Sequence, residues 1–272
     1  MKPHERISAA IRAATAERRT ALVAFITAGY PDKARFRETL AEVAGAADVV
    51  EIGVPFTDPM ADGLTIQRAS RAAIAKGVTL SWILDEIAAM NPAPEAPLVL
   101  MSYLNPLLAM GYERLAARAR ESGVSGFIVP DLPLDESGPL DAALEAEGLA
   151  LIHLVSPVTP PARLRAAARA SRGFLYAVNV TGITGGAKAA SADLHAYLGR
   201  VVAASRVPVC AGFGVRSAAQ VKDLGSVVPG VIVGSALVEA LERGESPAAF
   251  LGALGANPAP ACADRPETAG RG

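Results

Sequence analysis

The chain has 272 residues, of which 51% are hydrophobic and 19% are charged, a composition that excludes a disordered protein and supports a buried sheet. Its 26 basic and 27 acidic residues give a net charge of −1, which provides no electrostatic attraction for nucleic acid or for an anionic membrane. Small molecules and other proteins are therefore the expected ligands.

The two cysteines and three histidines show no spacing typical of a metal site, so no metal is expected. The polar N-terminal segment lacks the apolar core of a signal peptide. No apolar run approaches the ~18 residues that a membrane-spanning helix needs. We therefore expect a cytoplasmic protein.

The chain begins with apolar residues at helical spacing over residues 6–18, which predict a helix that closes the bottom of a barrel. The first strand is predicted over residues 21–29. The next helix is predicted to begin with Asp32 as its N-cap and to end at Gly45.

Strand and helix patterns then alternate along the chain. Buried strands are predicted over residues 49–52, 98–102, 126–129, 149–155, 174–178, 207–211 and 231–233. Helices are predicted between them, over residues 111–122, 140–147, 161–170 and 217–224. Eight apolar strands alternating with helices predict an α/β fold, a (β/α)8 TIM barrel that forms one domain over residues 1–255. Residues 256–272 lose this periodicity and are expected to form a disordered tail.

The connection between the second and third predicted strands is longer than the others. It leaves room for an extra helix around residues 65–76. Because it follows the carboxyl end of a strand, where TIM barrels keep their active sites, we expect it to shape a site.

A carboxylate stands inside the second predicted strand. Glu51 lies between Val50 and Ile52, and desolvation there disfavours the charged form and raises the pKa toward neutrality, where a general acid/base is most useful. Asp58 and Asp62 follow in one loop. Alternatively, Glu51 is an ion-pair partner inside the barrel and the two aspartates cap the next helix.

Glycine clusters follow the last three predicted strands, at Gly182–Gly186, at Gly212–Gly214 and at Gly234–Ser235. Backbone N–H groups at such turns bind anions, and TIM barrels often bind phosphate after strands seven and eight. The clusters therefore predict a phosphate site. Gly185 and Gly186 suit either a lid over the substrate or a surface loop, and the sequence leaves both open.

Polar and aromatic side chains also fall at or near strand ends, where they can line the mouth of the barrel. The polar candidates are Tyr103, Asn105, Asp131, Ser156 and Tyr176, and the aromatic ones are Phe25, Tyr176 and Phe213. For each residue taken singly, capping or core packing is the alternative role.

The segment VVEIGVPFTDPMADGLTIQRA, from Val49 to Ala69, strongly resembles the hallmark segment of the tryptophan synthase alpha subunit family. Further segments resemble that family's other conserved blocks in the same order: FITAGYPD, MSYLNPLL, VPDLPLDES, YAVNVTGITGG, GFGV and VGSALV. The resemblance spans residues 7–254.

The resemblance implies a barrel that cleaves indole-3-glycerol phosphate to indole and D-glyceraldehyde 3-phosphate by a retro-aldol reaction. It implies no cofactor in this chain. Indole would pass to a beta subunit that holds pyridoxal phosphate, within an alpha2-beta2 heterotetramer.

The resemblance also implies roles for individual residues. Glu51 takes the position of the catalytic acid/base, and Asp62 that of the carboxylate that accepts the indole N–H and stabilises the cation. Asp58 and Pro59 match a loop that faces the beta subunit. The expected substrate-binding residues are Phe25, Tyr103, Tyr176, Thr184, Gly185, Phe213, Gly214, Gly234 and Ser235.

Three positions depart from the family pattern. Leu64 and Ala24 stand where the family usually has proline, and Asn179 stands where serine is common. None removes a reacting group, but Leu64 could loosen the loop that carries Asp62. The alternative functions are a catalytically idle regulatory partner of the beta subunit and another phosphate-binding barrel enzyme, such as a sugar-phosphate isomerase.

Overall fold

Parallel strands form the centre of the computed structural model, which describes residues 1–178 and 187–255. The strands are β1 (Ala21–Thr27), β2 (Val49–Gly53), β3 (Leu98–Met101), β4 (Val124–Ile128), β5 (Ala150–Ile152), β6 (Leu154–Val155), β7 (Leu175–Val178), β8 (Val209–Gly212) and β9 (Gly230–Val233). They form one sheet in the order β5-β4-β3-β2-β1-β9-β8-β7-β6.

The two ends of this order, β5 and β6, are consecutive in the chain. β5 pairs with β4, and β6 pairs with β7, so one stretch of backbone closes the sheet into a barrel. The stretch is interrupted at His153, whose N–H donates to Ser171 Oγ at 3.1 Å instead of to a neighbouring strand. The predicted fifth strand is thus one barrel strand in two pieces, and the predicted (β/α)8 TIM barrel is confirmed.

Helices surround the barrel. They are α1 (Pro3–Ala16), α2 (Phe36–Ala44), α3 (Leu64–Ala75), α4 (Leu80–Ala88), α5 (Leu104–Met110), α6 (Tyr112–Glu121), α7 (Gly138–Ala146), α8 (Pro161–Ala170), α9 (Ala187–Ala204), α10 (Ala218–Gly225), α11 (Ser235–Glu242) and α12 (Pro247–Gly255). A short 3-10 helix covers Leu134–Glu136. The extra helix predicted after the second strand is confirmed as α3, whereas α5 and α12 were not predicted.

Alternation along each strand divides the core into two layers. In β2, Val50 and Ile52 belong to the layer under the helices, whereas Val49 belongs to the layer inside the barrel. Ile7 and Ile11 of α1 are fully buried in that inner layer. The predicted role of the N-terminal helix, which is to close one end of the barrel, is therefore confirmed.

The helix after the first strand starts later than predicted. Arg35 occupies the N-cap position of α2, and the predicted N-cap, Asp32, accepts a hydrogen bond at 3.0 Å from the backbone N–H of Ala34. The N-cap prediction was wrong because an aspartate can cap a turn as readily as a helix. Gly45 ends the helix as predicted.

We predict that Gly126→Ala lowers the free energy of unfolding by about 1–3 kcal/mol, as overpacking of a core does. A Cβ on Gly126 would lie 2.5 Å from Ala150 Cβ and 3.0 Å from Ala150 O on the paired strand. Urea unfolding measures the change. The matched control is Gly199→Ala on the exposed side of α9, where nothing lies within 4 Å. It should raise the free energy of unfolding by about 0.5–1 kcal/mol. Equal stabilities for the two variants would contradict the packing described for β4 and β5.

Candidate active site at the carboxyl ends of the strands

A cavity of about 530 Å³ opens at the carboxyl ends of the strands. Its walls are formed by the ends of β1, β2, β7 and β8 and by the loops that follow β2 and β9. The lining includes these residues singled out from the sequence: Phe25, Glu51, Asp62, Ser156, Tyr176, Gly214, Gly234 and Ser235. The barrel thus brings together residues as far apart in the sequence as Phe25 and Ser235.

Glu51 points into the barrel at the carboxyl end of β2. The residue pairs in register with Phe25 on β1 and is 1% exposed. Within the described part of the chain, Glu51 Oε2 is buried without a hydrogen-bond partner. Burial, reinforced by the negative charge of Asp62, raises the pKa of Glu51 from 4.5 to about 8. Glu51 therefore holds a proton at neutral pH. Among the described residues no cation pairs with Glu51, so they do not support its alternative role as an ion-pair partner inside the barrel.

Asp62 approaches the same cavity from the loop between β2 and α3. Its backbone N–H donates to Pro59 O at 3.1 Å, and its carbonyl accepts a hydrogen bond at 2.9 Å from Gln67 Nε2. Burial raises the pKa of Asp62 to about 6, while the neighbouring Tyr103 hydroxyl lowers it. Above pH 6 Asp62 is therefore the ionised member of a pair of carboxyl groups in different environments.

Tyr103 contacts the loop that carries Asp62. Its hydroxyl oxygen accepts a hydrogen bond at 2.9 Å from the backbone N–H of Ala61. Its ring stacks on Phe56, with centroids 4.9 Å apart and planes inclined by 20°. Tyr103 is buried and is not among the side chains that line the cavity, so its described contacts are with the Asp62 loop. Its predicted contact with substrate stays a prediction.

Two aromatic rings form walls of the cavity, and each packs over a glycine. A Cβ on Gly53 would lie 2.5 Å from the Phe25 ring, and a Cβ on Gly212 would lie 2.5 Å from the Tyr176 ring. Gly212, which belongs to a predicted phosphate-binding cluster, thus makes room for an aromatic ring.

Gly214, Gly234 and Ser235 lie on one side of the cavity, and we call them the anion cradle. Gly214 has φ +64°, a backbone conformation that favours glycine. Gly234 is the N-cap of α11, and Ser235 is the first residue of that helix. The positive end of the helix dipole and its free N–H groups are therefore at the cavity wall, as an anion site requires.

Not all predicted site residues are brought to the cavity. Phe213 does not line it among the described residues, and its ring lies 6.4 Å from the ring of Tyr197. Thr184 and Gly185 lie outside the described residues, as do Asn179 and the predicted tail at 256–272. Asp58 is exposed and Pro59 is buried in the loop after β2.

Some residues at the site were not predicted from the sequence. Ile66 and Met101 line the cavity, and Gln67 holds the backbone of Asp62. Met101 could have been predicted to line the cavity from strand alternation, because it lies at the carboxyl end of β3 on the inward face.

The described residues of the site include carboxyl groups but no metal-binding cluster. Among residues 1–178 and 187–255, no group of three or more His, Cys, Asp or Glu side chains is arranged to hold a metal ion. In the same part of the chain no helix has both the length and the apolar character needed to cross a membrane.

A TIM barrel with a protonated and an ionised carboxyl group in one cavity at the carboxyl ends of its strands is typical of a TIM-barrel enzyme. Residues 11–257 match the family model described as tryptophan synthase alpha chain. The chain belongs to the tryptophan synthase alpha chain family. It is therefore an alpha subunit and a lyase of tryptophan biosynthesis.

Individual relatives agree with the family model over nearly the whole chain. The tryptophan synthase alpha chain of Solidesulfovibrio magneticus is 46% identical over 242 residues, which cover 89% of this chain and 94% of the relative. A structure of Mycobacterium tuberculosis tryptophan synthase superposes with a TM-score of 0.85 at 38% identity, covering 94% of this chain and 98% of the other. The alpha subunit from Legionella pneumophila superposes with a TM-score of 0.84 at 31% identity, covering 93% and 97%.

We predict that Tyr103→Phe raises the pKa of Asp62. The neighbouring tyrosine hydroxyl favours the charged form of the carboxyl group, so its removal disfavours that form. Carbon-13 NMR titration of the Asp62 carboxyl carbon measures the shift. Tyr112→Phe on α6 is the matched control and should leave the titration unchanged. A lower pKa in Tyr103→Phe would contradict the stabilisation of the charged form of Asp62 by the Tyr103 hydroxyl.

We predict that Glu51→Gln becomes progressively more stable than the wild type as pH rises from about 4.5 to about 8. In this window the unfolded state loses the Glu51 proton while the folded state keeps it, so wild-type stability falls with pH. The amide that replaces the carboxyl group does not titrate, and the stability difference should grow by about 1.4 kcal/mol per pH unit.

Urea unfolding of both proteins across this pH range measures the difference. Glu113→Gln, at an exposed position of α6, is the matched control and should keep the wild-type slope. A constant difference between wild type and Glu51→Gln would mean that Glu51 is ionised in the folded state.

Proposed function

We propose that the chain cleaves indole-3-glycerol phosphate into indole and D-glyceraldehyde 3-phosphate by a retro-aldol reaction. The observation that carries the proposal is the meeting of Glu51 and Asp62 at one cavity that also contains the anion cradle. The cradle would bind the phosphate, and the two carboxyl groups would act on the opposite end of the substrate.

The reaction makes three demands. Indole C3 must receive a proton, the resulting positive charge near N1 must be stabilised, and the hydroxyl on the neighbouring chain carbon must lose its proton as the C–C bond breaks. The electrons of the broken bond return to the ring, and the chain carbon becomes an aldehyde. No oxidant, reductant or cofactor is required.

The different environments of the two carboxyl groups support a division of these tasks. Glu51, with its pKa raised to about 8, holds the proton that C3 needs and can afterwards accept the hydroxyl proton. Asp62, with a pKa of about 6, is ionised at neutral pH and can accept the indole N–H and stabilise the cation. Phe25 and Tyr176 would contact the indole ring.

Binding of the phosphate would orient the substrate far from the bond that breaks. Interactions with a remote, non-reacting group contribute to orientation of the reacting atoms. Thr184 and Gly185, which lie outside the described residues, are proposed to bind the substrate. Phe213 is proposed to contact the indole ring.

A beta subunit is the proposed partner, in an alpha2-beta2 heterotetramer within the cytoplasm. The family and the similarity to structures of tryptophan synthase from Mycobacterium tuberculosis support it. Asp58 and Pro59 are proposed to face the beta subunit, and the exposure of Asp58 supports this. Pyridoxal phosphate is expected in the beta subunit and not in this chain.

We predict that Glu51→Gln abolishes indole release from indole-3-glycerol phosphate and leaves binding of a phosphate ligand nearly intact. Asp62→Asn should lower the rate at least ~10²-fold, the lower end of the range for acid/base groups. Stopped-flow measurement of indole release gives the rates, and calorimetry with glycerol 3-phosphate gives the affinities. Retained turnover in Glu51→Gln would remove Glu51 from its proposed role, and an unchanged rate in Asp62→Asn would make Asp62 structural.

The function itself is tested by an assay of the purified chain on indole-3-glycerol phosphate, with beta subunit added at increasing ratios. Indole release that depends on Glu51 supports the proposal. An idle regulatory partner would release no indole at any ratio. An isomerase would leave indole-3-glycerol phosphate unchanged.

A further inference from the structure

Glu239 lies on α11 one helical turn after Ser235 and binds two other elements of the barrel mouth. Arg216 donates from Nη1 to Glu239 Oε2 at 2.7 Å and from Nη2 to Oε1 at 3.0 Å. The Thr65 hydroxyl donates to Oε1 at 3.0 Å. One carboxylate therefore joins the loop after β8, helix α11 and helix α3.

Each of these elements carries part of the proposed site. Arg216 follows Gly214 by two residues in the same loop, and Ser235 begins α11. Thr65 lies in the first turn of α3, three residues after Asp62. The same end of α3 also holds Asp62 directly, because Gln67 Nε2 donates to Asp62 O at 2.9 Å. Glu239 thus connects the anion cradle to the Asp62 loop without lining the cavity.

The residue that begins α3 does little to restrain the first turn of this helix. Leu64 is the first residue of α3, where a proline would fix φ in advance, and it is 82% exposed. Leu64 therefore supplies neither backbone restraint nor burial. The hydrogen bond from Thr65 to Glu239 restrains the residue next to it.

A second ion pair joins the same two helices farther from the cavity. Arg68 Nη2 donates to both carboxylate oxygens of Glu242, at 2.6 and 2.7 Å, and the Tyr30 hydroxyl also donates to Glu242. This pair holds α3 against α11 but has no described bond to the loop that contains Gly214. Among the described residues, the contact through Glu239 is the one that joins both sides of the proposed site.

We propose that Glu239 is a positioning residue, which sets the distance between the Asp62 loop and the anion cradle by bridging Thr65 and Arg216. Its kinetic consequence rests on the proposed function. Without the bridge, Asp62 would be less well placed for the proposed reaction, and the loop at Gly214 would bind phosphate less tightly.

The first experiment compares Thr65→Val, Arg216→Ala and Glu239→Ala in indole release with the beta subunit present. Thr65→Val should lower kcat, because it frees the Asp62 side of the bridge. Arg216→Ala should raise KM, because it frees the cradle side. Glu239→Ala should do both, each by about three- to tenfold, the range in which interactions of this kind couple residues.

Double variants test whether the residues act through one bridge. Adding Thr65→Val or Arg216→Ala to Glu239→Ala should produce little further change, because the shared partner is already absent. The matched control is Glu245→Ala, which removes an exposed ion pair with Arg243 of 2.6 Å that has no described bond to α3. It should keep wild-type kcat and KM.

The second experiment needs no turnover. Hydrogen exchange should be faster at the Asp62 amide in Glu239→Ala than in the wild type and in Glu245→Ala, and an indolepropyl phosphate should bind about three- to tenfold more weakly. Normal exchange and normal analogue binding in Glu239→Ala, or additive effects in the double variants, would overturn the proposal. A wild type that releases no indole would instead contradict the proposed function, while exchange and analogue binding would still decide the role of Glu239.

Discussion

The burial of the Glu51 carboxyl group without a cationic partner among the described residues is the constraint on which the rest of the site depends. A charge at that position would lose most of its hydration, and the group avoids this cost by keeping its proton. Strand alternation makes the burial unavoidable, since Val50 and Ile52 pack under the helices and Glu51 must face inward. The fold therefore keeps a protonated carboxyl group at the mouth of the barrel.

The other parts of the site lie around the Glu51 carboxyl group. Asp62 stays ionised because it is only partly buried and because the neighbouring Tyr103 hydroxyl lowers its pKa, and its negative charge in turn helps Glu51 to stay protonated. The anion cradle lines the same cavity as the two carboxyl groups. Bonds from Gln67 to Asp62 and from Thr65 and Arg216 to Glu239 hold these parts in place before substrate binds. Such preorganisation is what positions a substrate for acid/base chemistry.

Local patterns in the sequence predicted the features that depend on residues near one another in the chain. The apolar run around Glu51 was enough to predict its burial and raised pKa, and the order of strands and helices was enough to predict the barrel. Resemblance to a family, rather than spacing, supplied the role of Asp62. The features that were missed depend on partners distant in sequence: Ser171 breaks the strand at His153, Tyr176 occupies the space over Gly212, and Tyr103 binds the Ala61 amide. Asp32 was misassigned because its local capping bond fits a turn as well as a helix.

Difference infrared spectroscopy of the wild type against Glu51→Gln tests the central claim most directly, because a protonated carboxyl group has a carbonyl band that an ionised one lacks. A Glu51 that keeps its proton in the folded barrel gives such a band at neutral pH, and the band disappears as pH rises through about 8. A spectrum without that band at neutral pH, or with a transition at the ordinary value of 4.5, would contradict the account of the site.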